Sequence, residues 1–537
     1  MKNIRAHLMN RLLIHLENKK YLYSFIFILL IASFLRIYKL GWFSLWFDEA
    51  NMFIIPNDLK NILNIWRMSN YSIVLPFYDI FVTSICLRYL SWLGGNEFLL
   101  RFNSAVIGII CVGAIYYFAK IIFGKKIGIL ASFLMAISAF HIYYSQEARF
   151  YSFLVLLTLG SAITIKKFFE NGRIAYLIGH ILLSAIGCLG HFTFIFIIFA
   201  NNIFFLFYYK KYKHLLLKWI IAQSIIILLI SLPTPPSSIF LRIAFLIHNS
   251  SLWWWTIPVT LKSVFITLKN FSIGYNATRV VYLLASFSYL FLFSRGVYVT
   301  TNQKEVLFLL LSYIFVPIFS VFILSLFKSF YVDRYFIGSL PFFYVIVSLG
   351  LASFRRKYIL LTLIFFSILS FVALKNYYNN YLPNSFVHHV GIQIKSSTRD
   401  VSRFIIRNFR NRDLICHANE NTVPQICYYS GPIYKGDYSP FFSKNIIFRI
   451  TNKRLVLKYE DQRQNISFYR FFFYKIDKGA FYFEPINIKL SEYKRIWLIC
   501  QPREDISKLL SYLDKNYKID FIKNFHGLNL YLYELCK

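Results

Sequence analysis

Two adjacent acids, Asp48 and Glu49, follow the first long apolar run of the chain within Trp46-Phe47-Asp48-Glu49-Ala50. The chain has 24 Asp and Glu against 59 Lys and Arg, so acidic residues are scarce. A carboxylate held at a membrane surface can take a proton from a hydroxyl group. We therefore predict that Asp48 is a catalytic base. The competing interpretation is a solvated acid pair that caps a juxtamembrane helix.

Other residues suited to chemistry lie in three later loops. Glu147 and Arg149 belong to the stretch at 144–151, His191 follows an apolar run, and Arg334 precedes Tyr335. Charge counting places all of them on the same side of a membrane as Asp48. Ionisable groups near hydrocarbon are energetically costly, so their convergence indicates a site. A cavity there could hold a lipid phosphate beside an arginine, with a carboxylate positioned to deprotonate an incoming hydroxyl.

Each of these residues also has a structural interpretation. Glu147 and Arg149 could stabilise a loop turn as a pair, His191 could be a hydrogen-bonded histidine at the interface, and Arg334 could pair with Asp333 or with headgroups. The sequence leaves these alternatives open.

The composition indicates a polytopic α-helical membrane protein. Hydrophobic residues make up 57% of the 537 positions, charged residues 15%, and the mean hydropathy is +0.52. The apolar runs are of about the length that a helix needs to cross the hydrocarbon core. The net charge of +35 lies mostly at the ends of these runs, as topology signals do. Anionic lipid is therefore the expected counterpart, and no nucleic-acid partner is expected.

The positions of the basic residues also predict the direction in which each span crosses the membrane. The basic N-terminus is expected in the cytoplasm, which places the Asp48–Glu49 loop outside. The apolar stretch at 75–93 must then remain outside as a juxtamembrane or re-entrant helix, because Lys120, Lys125 and Lys126 end a later span on the cytoplasmic side. A long outer loop at 234–278, after the prolines at 233–236, carries Trp253-Trp254-Trp255 as an expected interfacial anchor. About 11 spans are predicted, at 21–41, 99–123, 127–145, 150–167, 175–190, 192–208, 215–232, 279–295, 305–327, 336–353 and 357–375.

The last part of the chain differs in character. Residues 376–537 mix charge with short apolar runs, which predicts a soluble α/β domain outside the cytoplasm, following a transmembrane catalytic domain at 1–375. Helical periodicity covers Thr398 to Asn408, and strand-like runs occur at 414–416, 495–499 and 528–533. Cys416 and Cys427 could form a disulfide in an oxidising compartment or remain reduced.

The ordered set of motifs resembles the polyprenyl-phosphate-dependent glycosyltransferases of the GT-C class, the group that includes protein O-mannosyltransferases and the aminoarabinose transferases of lipid A. The matching stretches cover most of residues 20 to 375. They are Trp46 to Ala50, Glu97 to Arg101, Tyr144 to Tyr151, Gly190 to Thr193, and Arg334-Tyr335 followed by Pro341.

The resemblance implies an inverting sugar transfer from a polyprenyl-phosphate donor to an acceptor hydroxyl outside the cytoplasm. Asp48 would be the general base, and Glu49 would position substrate or hold a polar network. Arg334, with Arg149, would stabilise the phosphate leaving group, and Glu147, His191 and Tyr335 would help to bind substrate. The implied partners are membrane lipid, a lipid-linked sugar, and a glycan, lipid or protein acceptor.

The sequence departs from the class at one element. Members usually carry a His-Pro-Pro or Lys-Pro-Pro element at the juxtamembrane helix, whereas Val74-Leu75-Pro76-Phe77-Tyr78 keeps one proline and no basic partner. Arg334 would therefore hold a larger share of the donor phosphate.

Two other functions compete with sugar transfer. A lipid-linked oligosaccharide flippase or transporter would place charge inside its spans, whereas these spans are nearly charge-free. A surface-glycan polymerase or ligase would use a longer lipid-linked donor. No cofactor is assigned. Asp48, Glu49 and Glu147 offer oxygen ligands for a divalent ion, but a phosphate held by arginine does not need one, so metal dependence stays open.

Overall fold

We describe a computed structural model of the chain. It describes residues 2–54, 97–231, 258–327, 329–383, 394–410, 413–417, 446–451, 454–461, 466–469, 494–502 and 517–536, with isolated positions between 422 and 429 and between 510 and 514. The predicted juxtamembrane helix at 75–93 with Pro76, the prolines at 233–236, Trp253 to Trp255, Cys427 and the side chain of Cys416 lie outside the described residues.

Long helices dominate the first part of the chain. In order they are α1 (Lys2–Ile37), α2 (Phe47–Ile54), α3 (Glu97–Phe123), α4 (Lys125–Ile137), α5 (Ala139–Ser145), α6 (Tyr151–Asn171), α7 (Ile174–Gly190), α8 (Phe194–Phe207), α9 (Tyr209–Tyr212), α10 (Leu216–Ser231), α11 (Leu261–Ile273), α12 (Arg279–Thr300), α13 (Lys304–Phe327), a 3-10 helix (Asp333–Ser339), α14 (Leu340–Ala352) and α15 (Arg356–Tyr378).

The helices confirm the predicted polytopic architecture. In the described part of the chain, eight helical segments are long and apolar enough to cross a membrane, and the bent pair of α4 and α5 makes a ninth. The shorter apolar helices α7 and α8 occupy the predicted spans at 175–190 and 192–208. Each predicted span therefore coincides with a helix. The protein is an integral membrane protein.

One span lies at the centre of the bundle. The helical segment Asp333–Ala352 comprises the 3-10 helix and α14. In its apolar stretch 89% of the residues are buried inside the protein, against 17% in the span Lys19–Ile37. Lipid can replace protein contacts around a peripheral helix, but a central helix packs against protein on nearly every side. The first residues of this segment, Arg334 and Tyr335, are therefore held by the core of the bundle.

The span formed by α4 and α5 is broken, and a buried arginine holds the break. The two helices meet at an angle of 62°. Ser138 lies between them, and its side chain accepts a hydrogen bond from the backbone N–H of His141. Arg36 of α1 is fully buried and donates to the carbonyls of Met135 (3.0 Å) and Ala136 (3.1 Å) at the end of α4, and to His141 Nδ1 (2.8 Å). The guanidinium thus binds carbonyls in the last turn of α4, where intrahelical donors run out.

The C-terminal part contains α16 (Thr398–Asn408) and a seven-stranded mixed sheet in the order β2-β3-β4-β1-β5-β7-β6. The strands are β1 (Asp413–His417), β2 (Ile446–Thr451), β3 (Arg454–Asp461), β4 (Ile466–Tyr469), β5 (Arg495–Cys500), β6 (Tyr517–Phe525) and β7 (Leu528–Leu535). β1 lies parallel to β4 and β5, and the other pairs are antiparallel. The predicted helix and the three predicted strands are confirmed.

A buried ion pair and an apolar face hold this sheet unit together. Arg495 donates two hydrogen bonds to Asp413 (2.9 and 2.6 Å), which joins β5 to β1. α16 buries Val401 and Ile405 against Trp497 and Leu530 of the sheet. The strongly amphipathic sequence of α16 therefore packs one face on the sheet and leaves the other polar.

We expect Arg36→Met to destabilise the helical bundle by about 1–3 kcal/mol, because the carbonyls that close α4 lose buried donors. The measurement is thermal unfolding of the purified protein in detergent. Arg295→Met is the matched control, since Arg295 is exposed and its Nε donates to the hydroxyl of Ser353 and not to a buried helix end. Equal melting temperatures for the two variants would contradict the role assigned to Arg36.

Candidate active site

Glu49 lies at the centre of a fully buried network of hydrogen bonds. Its carboxylate accepts from Arg101 Nε (2.8 Å) and Nη2 (2.7 Å), from the backbone N–H of Ala148 (2.9 Å) and from that of Trp46 (3.2 Å). Burial alone would raise the pKa of Glu49, but the charges of Arg101 and Lys395, together with hydrogen bonds from Arg101 and the Ala148 N–H, bring it to about 2. Glu49 is therefore ionised at neutral pH, and its oxygens face protein donors.

Arg101 completes this network from α3. Its remaining N–H groups donate to the carbonyls of Leu40 (3.1 Å), Phe43 (2.9 Å) and Ser44 (3.0 Å), so all five guanidinium donors are used. The pair thereby joins the loop after α1, the start of α3 and the loop after α5. It places the chain segments that carry Asp48 and Glu147 side by side.

Asp48 lies closer to the surface than its neighbour Glu49. Its side chain is 27% exposed, and Oδ2 lies 3.9 Å from Nη2 of Arg149. Both acids lie in the first turn of α2, where the helix dipole favours a negative charge. Because successive helical residues point about 100° apart, one acid can enter the protein while the other faces the opening.

Glu147 is a buried acid with unused hydrogen-bonding capacity. Its side chain is 1% exposed, Oε1 lies 4.0 Å from Nζ of Lys395, and Oε2 has no hydrogen-bond partner among the described residues. Burial raises the pKa of Glu147 to about 7; Lys395 and Arg334 lower it, whereas Glu49 and Asp48 raise it further. A small change in the surroundings of Glu147 therefore changes its charge near neutral pH.

A second group of side chains lies within electrostatic range of Asp48 and Arg149. It consists of His191, Arg334 and Tyr335. The His191 ring lies 5.4 Å from the ring of Tyr335, and the Arg334 guanidinium lies 5.8 Å from that same ring. Burial, with Arg149 and Arg334, lowers the pKa of His191 to about 3, so the imidazole is neutral at pH 7. Its Nδ1 is hydrogen-bonded to the hydroxyl of Thr193 at 2.7 Å. The imidazole therefore occupies a strongly positive environment as a neutral group.

Asp333 holds the start of the central segment in place. Its carboxylate accepts from Asn270 Nδ2 (2.5 Å), the hydroxyl of Tyr275 (2.9 Å) and the backbone N–H of Arg334 (2.8 Å). Tyr275 and Asn270 come from α11 and the loop after it. The acid next to Arg334 is thus engaged by neutral donors from a neighbouring element, which orients the backbone at Arg334.

The sheet unit also contacts this region. Arg399 of α16 donates to Glu97 of α3 (2.9 Å) and to the carbonyl of Trp42 (3.0 Å). The hydroxyl of Tyr429 donates to Glu97 (2.8 Å) and accepts from the backbone N–H of Leu45 (2.7 Å). The loop that precedes Asp48 is therefore packed between α3 and the sheet unit.

The structure thus places Asp48, Glu147, Arg149, His191, Arg334 and Tyr335 within one cluster, with Glu49 buried directly behind it.

Sequence reasoning missed Arg36, Lys395 and the role of Arg101 as the partner of Glu49. An arginine within an apolar run was the available signal for Arg36 and Arg101. The description of the spans as nearly charge-free needs correction, because both arginines lie buried in helices near this cluster. No comparable pattern marked Lys395.

The geometry also bears on a metal ion. Within the ranges that the structure describes, no group of three or more His, Cys, Asp or Glu side chains could hold a metal. Of the three acids considered as oxygen ligands, Glu49 already accepts hydrogen bonds on both oxygens. We therefore derive no step that needs a metal ion.

The two adjacent acids should respond differently to neutralisation. Glu49→Gln is expected to cost about 3–5 kcal/mol of folding stability, because it leaves Arg101 buried without its counter-charge. Asp48→Asn, at a partly exposed position whose nearest cation, Arg149, lies 3.9 Å away, is expected to leave the melting temperature nearly unchanged. Both are measured by thermal unfolding at pH 7. A stable Glu49→Gln protein would show that the pair with Arg101 does not hold the loops together.

Comparisons with known proteins agree with this fold. A family model described as dolichyl-phosphate-mannose-protein mannosyltransferase matches residues 81–236. The structure of ArnT from Cupriavidus metallidurans superimposes with a TM-score of 0.55 over 96% of this chain and 98% of that chain, at 10% identity. The same protein bound to undecaprenyl phosphate gives a TM-score of 0.52 over the same shares, at 8% identity.

A second match is the oligosaccharyltransferase of Archaeoglobus fulgidus, with a TM-score of 0.50 at 13% identity. The match covers 76% of this chain but only 64% of the length of the archaeal enzyme. No curated protein matches the chain. The family match, the full-length structural match and the apolar helices together identify the chain as an integral membrane protein with the fold of the GT-C glycosyltransferases.

Proposed function

We propose that this protein transfers a sugar from a polyprenyl-phosphate donor to an acceptor hydroxyl, with inversion at the anomeric carbon. The observation that carries the proposal is the partly exposed carboxylate of Asp48 beside the guanidinium of Arg149, at the end of the helical bundle. The cluster combines a proton acceptor with cations suited to phosphate, which are the two requirements of this reaction.

In the proposed reaction, the acceptor oxygen forms a bond to the anomeric carbon while the bond from that carbon to the phosphate oxygen breaks. The acceptor proton passes to Asp48. The electron pair of the broken bond stays on the polyprenyl phosphate, which gains one negative charge. Arg334 and Arg149 stabilise that charge, so the leaving group needs no proton.

The other residues of the cluster bind substrate in this proposal. Glu147 has one carboxylate oxygen available to accept a hydrogen bond from an acceptor hydroxyl. Tyr335 and the neutral His191 present ring faces and edges beside Arg334. Glu49 acts indirectly, because its bonds to Arg101 and Ala148 hold the two loops that carry Asp48 and Glu147.

The choice of donor rests on the comparisons. The matched family is named for a lipid-phosphate mannose donor, and ArnT was solved with undecaprenyl phosphate. We propose a polyprenyl-phosphate monosaccharide as donor and a glycan, lipid or protein as acceptor. The charge distribution along the sequence supports an active site and a sheet unit outside the cytoplasm, as for an enzyme of a bacterial inner membrane.

One experiment distinguishes sugar transfer from the competing transporter function. Purified protein in proteoliposomes would be given undecaprenyl-phosphate mannose and, in parallel, undecaprenyl-phosphate glucose and aminoarabinose. Release of undecaprenyl phosphate, measured by mass spectrometry in the presence of an envelope extract as acceptor source, supports transfer. Movement of intact donor across the bilayer without release would instead identify a transporter.

We expect Asp48→Asn to lower the transfer rate by about 10²- to 10⁴-fold, because the acceptor hydroxyl loses its proton acceptor. The donor KM should change little, since the arginines that hold the phosphate are intact. The rate is measured as release of undecaprenyl phosphate by purified enzyme. A variant that keeps the wild-type rate would eliminate Asp48 as the base.

Arg334→Met should lower kcat more than Arg334→Lys does, because lysine keeps a positive charge beside the departing phosphate but lacks the planar pair of donors. Initial rates over a range of donor concentrations separate kcat from KM. Arg295→Met is the control for loss of an exposed arginine. If Arg334→Met retained full kcat, leaving-group stabilisation would have to come from another residue.

A further inference from the structure

The segment between the last span and α16 brings a lysine into the active-site cluster. Lys395 is buried, with its side chain 5% exposed, although it lies outside the predicted catalytic domain. Its Nζ lies 4.0 Å from Glu147 Oε1 and 5.7 Å from the ring centroid of Tyr143, and it has no hydrogen-bond partner among the described residues. A buried ammonium with unsatisfied donors is costly, so its position requires an explanation.

The backbone of Lys395 is held from the side of the helical bundle. Asn380, just after α15, accepts from the Lys395 N–H (2.9 Å) and donates to the Lys395 carbonyl (2.7 Å). Asn380 adopts a left-handed backbone conformation with a φ of 54°, which asparagine tolerates better than most residues. The last span therefore fixes the lysine through two hydrogen bonds with a single side chain.

The sheet unit holds the next residues of the same segment. The N–H of Ser397 donates to the carbonyl of His526 (2.9 Å), and the hydroxyl of Ser396 donates to the carbonyl of Gly527 (3.4 Å), both in the turn between β6 and β7. The segment is thus bonded to the bundle at one residue and to the sheet unit one and two residues later. The placement of Lys395 depends on both parts of the chain.

We propose that Lys395 is a positioning residue that favours the ionised form of Glu147 and orients this acid in the active site, so that the segment leading into the sheet unit completes the site. This inference rests on the proposed function, because it concerns the acid that would bind the acceptor hydroxyl. Lys395 itself does not contact the reacting atoms in this proposal.

The electrostatic surroundings of Glu147 support a specific role for the lysine. The charged groups that face Glu147 are Asp48, Glu49, Arg334 and Lys395. The phenols of Tyr143, Tyr144, Tyr151 and Tyr377 lie within electrostatic range. Among the charges that lower the pKa of Glu147, that of Lys395 has the largest effect. Removing Lys395 leaves Arg334 as the one charge among these four that opposes burial and the two carboxylates.

The test compares Lys395→Met with wild type over a range of pH. Loss of a cation at this distance should raise the pKa of Glu147 by about one unit, so the acid limb of the kcat profile should move to higher pH by a similar amount. Activity lost at pH 7 should therefore return at about pH 9, where Glu147 ionises without the lysine. A merely structural defect would not be reversed by raising the pH.

Lys518→Met, at an exposed position in β6, is the matched control and should keep the wild-type profile. Glu147→Gln and the double variant complete a cycle. In the Glu147→Gln background, Lys395→Met should cause no further shift of the acid limb, because the group that it acts on is absent. An unmoved acid limb in Lys395→Met would overturn the proposal, whatever the effect on stability.

The same four proteins provide a readout that does not depend on sugar transfer. The melting temperatures of wild type, Lys395→Met, Glu147→Gln and the double variant should be non-additive, since removing one buried charge leaves the other unpaired. If wild type releases no undecaprenyl phosphate from any donor, the proposed function fails. In that case additive melting temperatures would still overturn the coupling of Lys395 to Glu147, and non-additive ones would support it.

Discussion

The ion pair between Glu49 and Arg101 is the interaction on which the geometry of the candidate site depends. Every donor of the guanidinium and both oxygens of the carboxylate are used, and both side chains are fully buried. Such a pair is costly to desolvate and contributes little stability compared with apolar packing. Its effect is geometric, because it joins three chain segments that are far apart in sequence.

The adjacency of Asp48 and Glu49 has a simple structural consequence. Successive side chains of a helix point about 100° apart, and here Glu49 is committed to the buried network while Asp48 remains partly exposed at the opening. With Glu49 neutralised by Arg101, the remaining charges of the cluster are the carboxylates of Asp48 and Glu147 and the cations Arg149, Arg334 and Lys395. The three cations suit a phosphate-bearing donor.

The membrane part contributes rigidity to this arrangement. The break between α4 and α5 turns the chain toward the cluster, and Arg36 occupies the carbonyls that the break exposes. Gly108 of α3 lets the helices approach closely, since a Cβ there would lie 2.3 Å from Ser145 Oγ. At the same end of the bundle, the central segment presents Arg334 with its backbone held by Asp333. Buried polar contacts inside apolar helices therefore determine the positions of the polar loops.

The amino-acid sequence by itself determined the membrane architecture. Apolar runs of spanning length and basic residues at their ends locate the helices, because lipid imposes a strong and local requirement on each segment. The amphipathic period of α16 and the strand runs at β1, β5 and β7 were likewise readable from local pattern. The same charge counting predicted one side of the membrane for the candidate site residues Asp48, Glu147, Arg149, His191 and Arg334. It could not predict the distances between their side chains.

Only the tertiary structure decided which of these charged residues are partners. Glu49 and Asp48 are neighbours in sequence, yet Glu49 bonds to Arg101, 52 residues away, and Asp48 faces Arg149. Lys395 reaches Glu147 because Asn380 and the β6–β7 turn together fix its segment. Hydrogen bonds and ion pairs depend on separations of a few ångströms between groups brought together by packing, and local sequence pattern does not encode them.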